Sequence, residues 1–160
     1  TFTSTFVKVY DGNEALEAGL FADSPHLMKD KGIAVFHFER SSEAVECYYY
    51  MANGDYSNPD EEYKTDDDLL SWITTNPYFY QADENTHYAF VSVDFYDAYT
   101  YLGWYYTMLT VAKDSQGMWG PVGRTMILPE YAKRGDIQEL VDLINEIEAG
   151  TESLSIKASK

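Results

Sequence analysis

Residues 88–96, Tyr88-Ala89-Phe90-Val91-Ser92-Val93-Asp94-Phe95-Tyr96, decide the fold class. In an extended chain Ala89, Val91, Val93 and Phe95 fall on one side and the residues between them on the other. A two-residue period is that of a β-strand. Toward the C-terminus the period changes. Over residues 136–149, Ile137, Leu140, Val141, Leu143, Ile144 and Ile147 form one apolar face at helical spacing, and Gly150 is a stop signal. Alternating strands closed by one long amphipathic helix, in a chain of 160 residues, imply a single α+β domain.

Other segments follow from the same rules. Residues 2–10, rich in Phe, Thr and Val, read as a strand, and Asp11-Gly12-Asn13 as a turn. A short helical turn over 14–20 ends at Gly19. Ser24 and Pro25 suit the N-cap and first position of another. Residues 33–39 are an apolar run of strand length. Residues 44–51 alternate, with Val45, Cys47, Tyr49 and Met51 on one face and Glu46, Tyr48 and Tyr50 on the other. The link over 40–43 has the length of a hairpin loop. Asp66 opens a helix whose stripe is Leu69, Leu70 and Ile73, and Asn76-Pro77 closes it. Residues 97–113 fit two templates. Phe95, Ala98, Tyr99, Leu102, Tyr106 and Leu109 have helical spacing, but the aromatic and β-branched density over 104–112 favours a turn followed by a strand. Asp114-Ser115-Gln116-Gly117 is a hairpin turn. Residues 118–128 return as a strand that Pro121 confines to an edge. The expected architecture is an antiparallel sheet of about five or six strands. A C-terminal amphipathic helix packs on one face, with one or two short helices besides. Residues 1–150 make the domain and 151–160 a flexible tail.

Charge is localised. The chain carries 27 acidic and 11 basic residues, a formal −16. Residues 41–112 hold thirteen acids and a single cation, Lys64, and most of the aromatic residues. At 45% hydrophobic the chain is too apolar for a disordered one. The acidity argues against direct contact with nucleic acid or an anionic membrane, whose phosphates would repel it. No apolar run reaches the roughly 18 residues of a membrane span. One cysteine, Cys47, excludes an intramolecular disulfide. Thr1-Phe2-Thr3-Ser4 lacks a basic and then apolar leader, so the expected location is cytoplasmic.

No catalytic, metal or cofactor signature emerges. Asp60-Glu61-Glu62 and Asp66-Asp67-Asp68 lack the alternating oxygens, central Gly and distal Glu of a calcium loop. His26, His37 and His87 have no zinc spacing. His37 is expected on the opposite side of its strand from Phe36 and Phe38. Cys47 lies in an acidic neighbourhood that weakens a thiolate. Residues 117–123 are glycine-rich but lack a P-loop's Lys-Ser/Thr. The chain is therefore expected not to be an enzyme.

Two features point to binding. Tyr48-Tyr49-Tyr50, Tyr78-Phe79-Tyr80, Tyr96, Tyr99, Tyr101, Trp104, Tyr105 and Tyr106 exceed what one small core needs. They form either an interface or a second buried face. The polar positions of the C-terminal helix are Asp136, Gln138, Glu139, Asp142, Asn145, Glu146 and Glu148, with no Lys or Arg to form i,i+4 pairs. The expected function is an acidic, Tyr-rich module that antagonises a basic, nucleic-acid-handling or toxin partner by charge complementarity or DNA mimicry. Small phage-type antagonists and immunity proteins share these bulk properties. The expected contact residues are Asp60, Glu61, Glu62, Asp66, Asp67, Asp68, Glu139, Asp142, Glu146, Tyr48, Tyr50 and Tyr105. The alternative is a β-rich domain that stacks exposed Tyr and Trp on a carbohydrate or small ligand. Tyr-rich faces also permit a homodimer.

Overall fold

The computed structural model describes residues 1–76, 79–100, 104–150 and 156–158. Its strands are β1 (Phe2–Asp11), β2 (Gly32–Arg40), β3 (Glu46–Asn53), β4 (Tyr80–Ala82), β5 (Tyr88–Val93), β6 (Tyr106–Lys113), β7 (Gly123–Ile127) and β8 (Ile156–Ala158). Its α-helices are α1 (Gly12–Glu17), α2 (Pro25–Met28), α3 (Asp66–Thr75) and α4 (Ile137–Ala149). The fold is α+β, but the single expected sheet is replaced by two antiparallel ones. The first has the order β1-β2-β5, with the short β8 added in parallel beside β5. The second has the order β4-β3-β6-β7.

The reason lies in the central strands, which are apolar on both faces. Ala34, Phe36 and Phe38 of β2 and Ala89, Val91 and Val93 of β5 meet Cys47, Tyr49 and Met51 of β3 and Met108 and Ala112 of β6 between the sheets. The opposite face of the first sheet, with Ile33, Val35 and Phe90, is covered by Leu140, Ile144 and Ile147 of α4 and by Ala15 and Met28. The opposite face of the second sheet, with Tyr50, Ala52, Leu109 and Val111, is covered by Leu69 and Ile73 of α3. One sheet and one helix would leave one of these faces in water, at about 25 cal/mol per Å² of apolar surface. A second sheet covers it instead.

The expected hairpin over 40–43 does not form. The link after β2 carries the chain from the first sheet to the second, so β2 and β3 face each other rather than pair. Phe38 and Tyr49 meet across the gap at 4.9 Å between ring centroids. Along one side of the sandwich, Ser4 Oγ donates to Thr125 Oγ1 at 2.8 Å and Thr125 Oγ1 donates to the Ser4 carbonyl at 2.9 Å. A register shift in β1 between Phe6 and Lys8 changes its parity. Phe2 and Phe6 point between the sheets, and after the bulge Val9 does so too while Tyr10 turns toward α4. An extra residue in one strand has this effect.

Residues 97–113 end in β6; positions 101–103 of that segment lie outside the described residues. The strand expected over 118–128 is shorter, β7 starting only at Gly123 after Pro121, and it is an edge strand. His37 packs edge-on against Tyr88 at 5.0 Å. Of the tail, 151–155 and 159–160 lie outside the described residues, while the backbone of β8 pairs with Phe90–Ser92. Among the described residues no helix is long and apolar enough to cross a membrane.

Within the core, Thr110 is fully buried and its Oγ1 has no hydrogen-bond partner among the described residues. An unpaired buried hydroxyl costs stability that a methyl group of the same shape does not. Thr110→Val is expected to stabilise the fold by about 1 kcal/mol. The check is thermal unfolding, where a lower Tm than the parent chain would show that the hydroxyl is satisfied in solution.

Candidate functional site

The expected contact residues divide between opposite outer faces. Residues 60–68 belong with α3 on the second sheet, and Glu139, Asp142 and Glu146 belong to α4 on the first. One flat partner surface cannot cover both.

On the α3 side several acids have structural partners. Asp68 accepts the Thr65 N–H at 3.2 Å while Thr65 Oγ1 accepts the Asp68 N–H at 3.2 Å, a reciprocal cap on α3. Asp66 accepts from Arg124 Nη2 at 2.7 Å and from the Val122 N–H at 3.2 Å. Glu61 pairs with Lys64 at 3.2 Å. Asp60, Glu62 and Asp67 remain exposed, with no partner among the described residues' ion pairs.

On α4, Asp136 caps the helix by accepting the Gln138 N–H at 2.8 Å. Glu139 pairs with Lys8 at 3.1 Å, both side chains about half exposed. Asp142 accepts from Gln138 Nε2 at 2.9 Å. Glu146 and Glu148 are exposed on the following turns. Beside this helix runs a groove of about 660 Å³, with Leu20, Phe21, Val141 and Ile144 inside and Asp23 and Glu148 among its polar lining. Its far wall is tightly turned. Gly19 has φ +84, and Phe21 holds φ +54, unusual for an aromatic residue, with its ring 6.1 Å from that of Phe90.

The aromatic residues also divide. Tyr50 is only 5% exposed and packs edge-on against Trp72 at 5.1 Å, so it belongs to the core beneath α3 rather than to an interface. Tyr48 is half-buried, 5.8 Å from the Trp119 ring. Burial first, and the neighbouring Glu46 carboxylate second, raise its phenol pKa. Tyr105 is exposed, as are Trp104 and Tyr99 nearby in the chain. Tyr78 and Tyr101 lie outside the described residues.

A second groove, of about 360 Å³, lies on the α3 side, with Tyr48, Ile73, Asn76, Phe79, Lys113 and Trp119 in its wall. Sequence reasoning passed over Trp119 because it follows a glycine turn. The signal was available: a four-residue turn at 114–117 returns position 119 to the level of Lys113, and the two bridge as in a strand pair. Lys113 Nζ lies 4.7 Å from the Trp119 ring centroid and 3.6 Å from Glu46.

Cys47 is fully buried, and burial pushes its thiol pKa up, against nucleophilic use. Among the described residues no three His, Cys, Asp or Glu side chains gather as a metal set. Lys8, Lys31, Lys64, Lys113, Arg124, Lys133 and Arg134 each lie in an ion pair with a carboxylate of this chain. Comparisons with protein-family models, curated proteins and solved structures find no match to this chain.

Proposed function

We propose that the chain is an acidic binding module that occupies the basic surface of a nucleic-acid-handling enzyme or toxin, with the outward side of α4 as its contact face. One observation carries the reading: α4 shows Glu139, Asp142, Glu146 and Glu148 to solvent with no Lys or Arg in the helix, Lys8 of β1 being the one cation paired with them among the described residues. Like charges along one helix repel and cost stability. A basic partner would turn that cost into attraction, steering association and making affinity fall steeply with salt. Carboxylates one helical turn apart then stand in for phosphates. The acids at 60–68 lie with α3 on the opposite sheet, and Asp66 and Asp68 among them are engaged in the fold.

Two variants test it in a low-salt pull-down from lysate followed by affinity measurement against the captured protein. Glu139→Gln, Asp142→Asn and Glu146→Gln together are expected to weaken binding by about tenfold, or about 1.4 kcal/mol, and to flatten its salt dependence. Asp60→Asn, Glu62→Gln and Asp67→Asn together, chosen to spare the helix cap and the Arg124 pair, are expected to leave binding unchanged. The opposite pattern would move the interface to the α3 side. Loss in neither variant would remove carboxylates from the interaction.

A further inference from the structure

We propose that the groove between α4 and the turn at 18–23 receives the apolar face of a basic amphipathic helix, carried by the partner that the acids of α4 attract. The inference rests on the reading of α4 as the contact face and adds what that partner must present.

The groove is built before a partner arrives. Gly19 ends α1 in the left-handed region, with φ +84. Its N–H donates to the Leu16 carbonyl and the Leu20 N–H to the Ala15 carbonyl, each at 3.0 Å. This pairing closes a helix and turns the chain back across its end. Phe21 follows at φ +54, a conformation an aromatic residue keeps only where its surroundings fix it. Its ring lies against that of Phe90, and its carbonyl accepts the Ser24 N–H at 3.0 Å. Leu20 and Phe21 thus make one wall, and Val141 and Ile144 of α4 the other. A wall already ordered spares its ligand the cost of ordering it.

Charge then selects the occupant. The lining holds Asp23 and Glu148 and no Lys, Arg or His. Both carboxylates are exposed, and among the described residues neither is engaged by a cation of this chain. Asp142 stands three residues before Asn145 of the rim, its neighbour on the helix surface, so the outward acids continue from the groove. Phosphates and anionic lipids are repelled here. A small hydrophilic cation would meet the rim and leave the apolar walls in water. The occupant therefore carries cations beside an apolar surface. The lining is helix and turn, with no strand edge to which an extended peptide could bond. A helix needs no such edge, since its backbone is bonded internally. Its apolar residues, three and four apart, enter between the walls while Lys and Arg reach the rim. Val141 to Glu148 spans about 10 Å of α4, two turns of such a helix, and the volume of about 660 Å³ admits more than one side chain.

Two synthetic peptides test this on the full chain at low salt. One is two joined copies of Lys-Leu-Ala-Lys-Lys-Leu-Ala, which puts leucine on one helical face. The other has alanine for every leucine, with the same charge and no loss of helix propensity. The α4 acids alone would hold both alike. Titration calorimetry is expected to show the leucine peptide bound about tenfold tighter or more, with the methyl NMR signals of Leu20, Val141 and Ile144 shifting. Asn145→Trp and Ala22→Trp each put a ring into the groove, from opposite walls and without a change of charge. Each is expected to bring the leucine peptide down to the level of the alanine peptide. Both positions are exposed, and thermal unfolding checks that the variants fold. Met118→Ser, which removes an exposed apolar side chain outside the groove, is expected to keep the preference. No binding of the leucine peptide, or equal affinity of the two, would overturn the proposal. So would a preference that survives both tryptophan variants, or one that Met118→Ser abolishes. The α4 reading is judged separately, on the alanine peptide. It fails if the protein with Glu139→Gln, Asp142→Asn and Glu146→Gln binds that peptide as tightly as the parent chain does.

Discussion

Gly12→Ala is expected to destabilise the fold by about 3 kcal/mol or more, at the upper end of the cost of overpacking. A Cβ at position 12 would lie 2.0 Å from the Met28 carbonyl oxygen and 2.7 Å from that of Lys31. Both are main-chain atoms, so no rotamer change relieves the clash. The approach is close because the Gly12 N–H donates to the Lys31 carbonyl at 2.8 Å. Two further bonds brace the same turn: Asn13 Nδ2 donates to Asp30 Oδ1 at 3.1 Å, and the Asp30 N–H donates to Asn13 Oδ1 at 2.9 Å. Making room means moving the segment that leads into β2, a central strand. Gly19→Ala is the control. No heavy atom lies within 4 Å of its Cβ position, and its φ of +84 is the only objection, worth about 1–2 kcal/mol. Urea unfolding of the two variants decides the matter. A Gly12→Ala cost no greater than that of Gly19→Ala would mean the turn yields easily.

Arg124→Ala is expected to cost about 3 kcal/mol, within the range for breaking a buried charge pair and its attendant hydrogen bonds. The side chain of Arg124 is 8% exposed. Its Nη1 donates to the carbonyls of Tyr56 and Lys64, each at 2.8 Å, and its Nη2 to Asp66 Oδ1 at 2.7 Å. One guanidinium thus ties β7 to both ends of the acidic loop and to the start of α3. Asp66 is 46% exposed, so most of the loss comes from the stranded carbonyls rather than from the ion pair itself. Lysine cannot span three acceptors from a planar fork, so Arg124→Lys is expected to recover less than half. The measurement is thermal unfolding together with hydrogen exchange across 54–65. Exchange in that loop that stays slow in Arg124→Ala would show that the loop holds itself.

Local periodicity carried the reading a long way. The faces of β5 and α4 are those their spacing implies: Ala89, Val91 and Val93 meet the second sheet, and Leu140, Ile144 and Ile147 cover the first. Patterning failed where a strand is apolar on both sides. In β3, Cys47, Tyr49 and Met51 alternate with Tyr48 and Tyr50, and the second set read as an exposed face because Tyr is at home in water and in a core alike. Its OH tolerates solvent while its ring fills space, so composition does not separate the two settings. The second sheet escaped notice for a related reason. A five-residue link between two strands looks the same whether it turns a hairpin or crosses a sandwich, and only the depth of Phe38 and Tyr49 separates the cases. The candidate sites were legible in kind but not in place. Acidity and aromatic excess are visible in composition, whereas the separation of α4 from residues 60–68, and the structural work of Asp66 and Asp68, depend on contacts far apart in the chain.

Both sheets draw strands from both halves of the chain. The first takes β1 and β2 from before the acidic loop at 54–65 and β5 from after it; the second takes β3 from before and β4, β6 and β7 from after. A single cut in that loop, the sort of exposed and polar stretch a protease reaches, would produce two fragments, neither holding a whole sheet. Each alone would bare the apolar faces that the other covers. Nicked there, the protein should persist as a non-covalent pair held by interlocked strands, and ribosomal synthesis must pass well beyond residue 93 before either sheet can close.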